Sequence, residues 1–230
     1  ICSPSVPSWP GRPGPWRWSR VATQETNEVQ KLSGWCFDRC RLLPALVTAA
    51  VLSGCASSPS TDVEADAVLA DRYADALALQ QAGELAGAGR QFGALATDYP
   101  DRVEPRISLA LVYAAVGEHE QAEELLEAAV ADFPDSAVAW NELGILRRRD
   151  GRLAEAEKAY GRALEADPDY ALAHRNRGIL LDLYLGRPAE ALAHYRRYLE
   201  LAGGDEEVHA WIAELELRVP TEDAEMVAER

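Results

Sequence analysis

The sequence repeats itself with a period of 34 residues. Three kinds of landmark recur in one register: Pro-Asp pairs at 100–101, 134–135 and 168–169, glycines at 83, 117 and 151, and alanines at 88, 122 and 156. Large apolar side chains keep the same spacing at Phe92, Leu126 and Tyr160. A unit this short cannot bury its apolar face alone, so the period predicts stacked units that share a continuous core.

The repeating unit resembles the tetratricopeptide repeat. The best match is 137–170, which carries the family landmarks Trp140, Leu143, Gly144, Gly151, Ala156, Tyr160, Ala163 and Pro168. In that family each unit is two helices joined by a glycine-containing turn. The resemblance implies an all-α fold, a right-handed α-solenoid of about four helix-turn-helix units. We assign these units to residues 69–102, 103–136, 137–170 and 171–205.

The C-terminal end of the array departs from the period. The fourth unit has one extra residue, which we assign to the turn formed by residues 185–188. Beyond it, Val208, Trp211, Ile212 and Leu215 follow the i, i+3, i+4, i+7 spacing of an amphipathic helix. Because the ends of a solenoid need caps, residues 206–220 are predicted to form a capping helix, followed by an acidic tail at 221–230.

A change in composition divides the chain near residue 59. Residues 1–59 hold six basic and three acidic residues, a net charge of +3, whereas the remainder holds 17 basic and 35 acidic residues, a net charge of −18. Residues 4–18 are rich in proline, tryptophan and arginine and show no helical or strand periodicity, and residues 1–38 are interpreted as an N-terminal extension that is expected to be disordered. Residues 39–54 have the order of a secretory signal, with Arg39 and Arg41 before an apolar stretch at 42–52.

The end of this signal resembles the lipobox of bacterial lipoproteins. Its four residues are Leu52, Ser53, Gly54 and Cys55. In that family the cysteine thiol receives a lipid and the leader is cleaved before it, so the resemblance implies lipid attachment at Cys55. The next residue is Ala56 rather than an aspartate, which in the family favours the outer membrane facing the periplasm. Residues 55–68 are predicted to form a flexible tether, because their first part is rich in serine and proline.

The first helix of each unit lines a concave groove in the tetratricopeptide family. The corresponding candidates here are Tyr73, Leu77, Ile107, Leu111, Asn141, Ile145, Arg148, Arg149, Arg175, Asn176 and Ile179. One end would be apolar, and the other would offer arginine and asparagine donors to a carboxylate or a peptide backbone. The hypothesis is a groove that binds a protein or peptide partner with anionic character near Arg148 and Arg175. The alternative concerns the whole arginine cluster, which is Arg147, Arg148, Arg149, Arg175 and Arg177. In it these residues form ion pairs on the helix surface with Glu142, Asp150 and Glu155, which contribute little.

The sequence offers no pattern for catalysis. It has no phosphate-binding loop, no nucleophile elbow and no zinc-ligand spacing, and its four histidines are scattered, so no catalytic residue, metal or cofactor is predicted. We interpret His194 as a packing or solvent-facing residue. The net charge of −18 over the repeats argues against nucleic acid as a partner, since binding phosphate backbones requires clustered cations. No small-molecule substrate is expected.

These features predict a non-enzymatic, membrane-anchored scaffold or adaptor in a cell-envelope assembly. Lipoproteins of similar layout assist pilus and secretin biogenesis, and others work beside energy-transducing uptake complexes. The first role predicts loss of twitching or of secretin multimers on deletion, and the second predicts a defect in nutrient uptake. A cell-wall-active enzyme is a further alternative, which would need a concave pocket with perturbed carboxylates.

Overall fold

The computed structural model describes residues 60–219, and every regular element within that range is helical. The α-helices are α1 (Ser60–Gln81), α2 (Leu85–Asp98), α3 (Glu104–Ala115), α4 (His119–Asp132), α5 (Ala137–Arg149), α6 (Leu153–Ala166), α7 (Ala171–Ile179), α8 (Pro188–Ala202) and α9 (Glu206–Glu216). A π-helical segment, Leu180–Leu185, continues α7. The predicted N-terminal extension, signal peptide, Cys55 and acidic tail lie outside the described residues.

Consecutive helices pack as four pairs, α1 with α2, α3 with α4, α5 with α6 and α7 with α8. Each pair also packs on the next, and α9 packs on α8 at the end of the array. The first helices of neighbouring pairs touch as well, since α5 contacts both α3 and α7. The prediction of an all-α solenoid of four helix-turn-helix units and a terminal helix is confirmed.

The glycine column of the sequence occupies the turns within the pairs. Gly83, Gly117 and Gly151 have φ angles of 78°, 87° and 78°, in the left-handed region that residues with a Cβ atom rarely adopt. Each turn closes with a backbone hydrogen bond that reaches five residues back, as between the N–H of Arg152 and the carbonyl of Arg147 at 2.9 Å. This is the pattern that satisfies the free carbonyls at a helix C-terminus.

The fourth pair corrects the predicted position of the extra residue. Two residues, Gly186 and Arg187, separate the π-helical segment from α8, whereas three residues, 150–152, separate α5 from α6, so the extra residue is not in the turn. The closing hydrogen bond from Arg187 N–H instead reaches six residues back, to the carbonyl of Leu181 at 2.9 Å. The π-helical segment holds the extra residue because its wider winding takes one more residue per hydrogen-bonded turn. It thereby keeps the second helix of the pair in register.

Glycines within two helices allow close contact with a tyrosine. A Cβ atom placed on Gly144 of α5 would lie 2.6 Å from Cε1 of Tyr160, and one on Gly178 of α7 would lie 2.6 Å from Cε1 of Tyr195. Both tyrosines are buried. The landmark glycine and the landmark aromatic residue of the repeat are therefore two halves of one helix–helix contact.

The start of α1 corrects the predicted tether. Residues 55–68 were expected to be flexible throughout, but the helix begins at Ser60. The serine- and proline-rich part of the sequence ends there, and Ala65 and Ala67 are strong helix formers. Asp66 also accepts a hydrogen bond from Arg102 at 2.6 Å, which fastens this part of α1 to the turn before α3.

Candidate protein-interaction surface

The predicted groove residues all lie on the first helices of the pairs, α1, α3, α5 and α7. Tyr73, Leu77 and Leu111 are half-buried, and Arg149 is exposed. The other seven are buried, and they are Ile107, Asn141, Ile145, Arg148, Arg175, Asn176 and Ile179. The accessible part of this surface is therefore aliphatic and aromatic on α1 and α3, with a cation at the end of α5.

Polar side chains join the first helices of neighbouring repeats. The hydroxyl of Tyr73 lies 2.5 Å from that of Ser108, 35 residues further along, and burial raises the pKa of Tyr73. Between repeats three and four, two residues with the same spacing of 35 are also joined, since Asn176 Nδ2 donates to Asn141 Oδ1 at 3.0 Å. Asn141 in turn donates to Glu142 Oε1 at 3.1 Å. These contacts satisfy polar groups that would otherwise destabilise the core when buried.

The two arginines proposed to recognise an anion are held by aromatic residues. Arg148 donates from Nε to the hydroxyl of Tyr160 at 3.2 Å and from Nη1 to that of Tyr184 at 3.3 Å. The guanidinium of Arg175 lies over the ring of Trp211, 5.6 Å from its centroid. With exposed fractions of only 4% and 2%, they join repeat three to repeat four and repeat four to the capping helix. Anion binding at either residue stays a prediction.

A group of ion pairs connects repeat two to repeat three. Glu123 of α4 accepts from Arg147 Nε at 3.2 Å and from Arg152 Nη2 at 2.5 Å, and Arg147 also contacts Glu127 at 2.6 Å. Arg147 also lies 3.7 Å from Glu155, which is one of the partners that the ion-pair alternative names. The hydrogen bonds from Arg152 and Arg147 hold the pKa of Glu123 below its usual value. Arg147 therefore forms ion pairs with neighbouring helices, as the ion-pair alternative proposed for the arginine cluster.

The structure also brings together two histidines that the sequence left apart. His174 of α7 and His194 of α8 place their Nδ1 atoms 2.9 Å from each other. His174 Nε2 lies 3.0 Å from the carbonyl oxygen of Pro168. Burial is the main cause that lowers the pKa of both imidazoles. The sequence signal that could have found this contact was the position of His174, which stands one period after Trp140, a residue that packs against the hydrophobic core.

Among residues 60–219, no group of three or more histidine, cysteine, aspartate or glutamate side chains is placed to hold a metal ion. In the same range no helix combines the length and the apolar character that crossing a bilayer requires.

The chain belongs to the tetratricopeptide repeat family. The model of that family matches residues 73–137, 107–171 and 141–206, three overlapping windows that together cover more than half of the sequence. Proteins of this family are typically non-enzymatic scaffolds, and this chain is a protein–protein interaction scaffold of the tetratricopeptide type. No curated protein matches the sequence.

Solved structures share the fold at low sequence identity. PilF of Pseudomonas aeruginosa is 21% identical with a TM-score of 0.60, over 66% of this chain and 69% of PilF. The repeat protein TTC0263 of Thermus thermophilus is 23% identical with a TM-score of 0.55, over 68% of this chain and 86% of that one. MamA is 23% identical with a TM-score of 0.53, over 66% and 88%. At these identities the similarity concerns the fold alone.

Proposed function

We propose that this protein is a lipid-anchored interaction scaffold of the bacterial cell envelope. In this proposal the leader is cleaved before Cys55, the cysteine carries the lipid, and the repeats face the periplasm from the outer membrane. The observation that carries it is the sequence Leu52-Ser53-Gly54-Cys55 after a basic, then apolar, stretch, just ahead of the repeats. Two or more acyl chains anchor a protein stably, because each buried methylene contributes about 0.8 kcal/mol.

The start of α1 adds a constraint on how such a scaffold would sit. Four residues, 56–59, separate Cys55 from the first helical residue, Ser60. Even fully extended, this link spans only about 17 Å, because an extended chain advances at most about 3.3–3.6 Å per residue. A lipid on Cys55 would therefore hold the first repeat close to the membrane surface. The later repeats would then lie further along the array from the anchor and be the ones available to bind a partner.

Metabolic labelling with palmitate tests the anchor. The Cys55→Ala variant should lose the label and leave the membrane fraction, because it lacks the thiol that receives the lipid. Cys40→Ala is the matched control, since this cysteine lies within the proposed leader and its loss should leave labelling unchanged. Persistent labelling of the Cys55→Ala variant would refute the anchor.

For the binding surface, we propose that an extended or helical segment of a partner protein lies along the first helices. Its apolar side chains would contact Tyr73, Leu77 and Leu111, which are half-buried, and an acidic group would meet the exposed Arg149. A groove of this kind gains affinity from a few apolar anchors and specificity from the charge at one end. The buried Arg148 and Arg175 would hold the groove wall in place.

The probes for this surface are peptides selected from a displayed random library for binding to the immobilised full chain. Selected peptides should bind Leu111→Glu and Arg149→Glu variants at least tenfold more weakly than the unmodified chain. Arg162→Glu is the matched control, because Arg162 is exposed on α6, a second helix, and contacts only Glu165 among the described residues. Equal affinity for the Arg149 and Arg162 variants would refute a role for the end of α5.

A further inference from the structure

Repeat four joins its two helices through a contact between two histidine side chains. One period after Trp140 and Leu143 of repeat three stand His174 and Arg177. Leu143 is buried in a hydrophobic cluster with residues of repeat two, whereas His174 meets His194 of α8 within its own repeat. A pair of half-buried histidines where repeat three has an indole and a buried leucine nearby is a local conflict with the fold, and such conflicts mark places with a role besides stability.

The contacts of His174 determine where the protons are. Its Nε2 lies 3.0 Å from the carbonyl of Pro168, just as the indole Nε1 of Trp140 donates to the carbonyl of Pro134 at 2.9 Å. A carbonyl only accepts, so His174 carries its proton on Nε2. When His174 is neutral, its Nδ1 is then an acceptor, and the proton between the rings belongs to His194 Nδ1. The only free lone pair of the two rings is on His194 Nε2.

Charged groups from every neighbouring element face the pair. They are Arg177 of α7, Arg187, Glu190 and Arg197 at or along α8, Asp169 of the turn before α7, and Glu157 of α6, which Arg187 binds. Arg187 also binds Glu190, and Arg197 binds Asp169. The Nε atom of Arg177 is buried and has no hydrogen-bond partner among the described residues. A further positive charge on His194 would therefore be placed beside a half-buried cation that repels it.

We propose that His174 and His194 form an acid-sensitive latch that holds α7 against α8 while both rings are neutral and releases them when His194 is protonated. The release would extend to the capping helix, because Trp211 of α9 packs on Tyr195 of α8 with ring centroids 5.3 Å apart. Arg175 of α7 lies over the same tryptophan. Repeats one to three have no such histidine pair among the described residues, so acid would loosen the C-terminal end of the array first.

The direction of the effect follows from proton linkage. Burial and the nearby Arg177 lower the pKa of His194 to about 3 in the folded protein, against about 6.5 for an unperturbed histidine. The latch is thus fully stabilising above about pH 6.5, and its contribution is lost as the pH falls below that value. For one histidine with these two pKa values, lowering the pH from 7.5 to 5 raises the equilibrium constant for unfolding by roughly 30-fold.

Hydrogen exchange of the full chain at pH 7.5 and pH 5, corrected for intrinsic exchange rates, tests the latch. We expect amides of α7 to α9 to lose protection about tenfold or more at pH 5, while those of α3 to α6 lose less. In His194→Asn the amide nitrogen replaces Nδ1 as the donor to His174 without titrating, so the loss at pH 5 should become at least several-fold smaller, the remainder coming from His174, whose pKa is also lowered. His209→Asn, at an exposed site on α9, should behave as the unmodified chain does.

Equal losses of protection in the unmodified chain and in His194→Asn would overturn the proposal, as would a loss spread evenly over α3 to α9. A second measurement does not depend on the folding of any variant. The NMR signals of the two imidazoles should show His194 still neutral at pH 5 in the folded chain. Titration of His194 with a midpoint near 6.5 would equally overturn the latch.

Discussion

Replacing Gly144 by alanine should destabilise the protein, although alanine is the better helix former. The added Cβ would lie 2.6, 2.7 and 3.1 Å from three carbons of the Tyr160 ring, whereas carbon atoms in contact prefer about 3.5–4.0 Å. The ring cannot yield easily, because it is fully buried and its hydroxyl accepts a hydrogen bond from Arg148. Overpacking of this kind costs about 1–3 kcal/mol. Loss of the hydrogen bond would add about 1 kcal/mol.

Against this cost stands the helix propensity of alanine, which is worth about 1 kcal/mol over glycine. The expected net effect of Gly144→Ala is therefore a loss of about 1–3 kcal/mol in the free energy of unfolding. Gly161 is the matched control, since it lies in α6 beside Tyr160 and an added Cβ there meets no atom within 4 Å. Gly161→Ala should stabilise the chain by about 0.5–1 kcal/mol.

Urea unfolding followed by far-ultraviolet circular dichroism measures both effects on the full chain. The two substitutions are chemically identical, so opposite signs isolate the contact with Tyr160. Gly144→Ala should also cost less when Tyr160 is replaced by leucine, by at least about 1 kcal/mol in a double-mutant cycle. Equal shifts of the same sign for the two alanine variants, or no coupling in the cycle, would refute the close-contact reasoning.

Two further predictions concern contacts between repeats. Tyr73→Phe removes the 2.5 Å hydrogen bond to the buried hydroxyl of Ser108 and should lower the free energy of unfolding by about 1 kcal/mol, and an unchanged urea midpoint would contradict it. Glu123→Gln loses the charge that binds Arg152, whereas Glu124→Gln, at an exposed site, should have no effect. Because the pKa of Glu123 is lowered, its carboxylate stabilises the fold above about pH 4.5, and the contribution is lost as the pH falls further. The Glu123 variant should be less stable by up to about 1 kcal/mol at pH 7, and this difference should shrink as the pH falls below about 4.5; a difference that stays constant in acid would count against the ion pairs.

Local chemistry explains what could be predicted about the fold. Only glycine adopts the left-handed backbone conformation of a turn residue such as Gly151 without strain. Apolar side chains that recur at helical spacing lie on one face of a helix, and that face is buried in a core. These constraints act within a few residues of the chain. The helices, the turns and the stacking of the repeats could therefore be predicted from the local sequence. The same is true of the capping helix, where Val208 and Leu215 are buried as their spacing predicted.

The position of the extra residue in repeat four could not be predicted from the local sequence. A turn and a helix can each take one more residue at similar local cost, so the sequence favoured the turn at 185–188. The structure places the residue in the π-helical segment because α8 must keep its packing against α7 and α9. That requirement comes from neighbouring helices and is absent from the local sequence.

The candidate site divides in the same way. The sequence by itself determined that this chain stacks helical pairs and which positions fall on the first helix of each, because both follow from a period set by backbone geometry. Only the tertiary structure decided that Arg148 and Arg175 are buried against aromatic rings, and that His174 meets His194. Burial and contact depend on what the facing helix presents at one point in space, and residues 20 or 36 apart in the chain carry no local sign of meeting there.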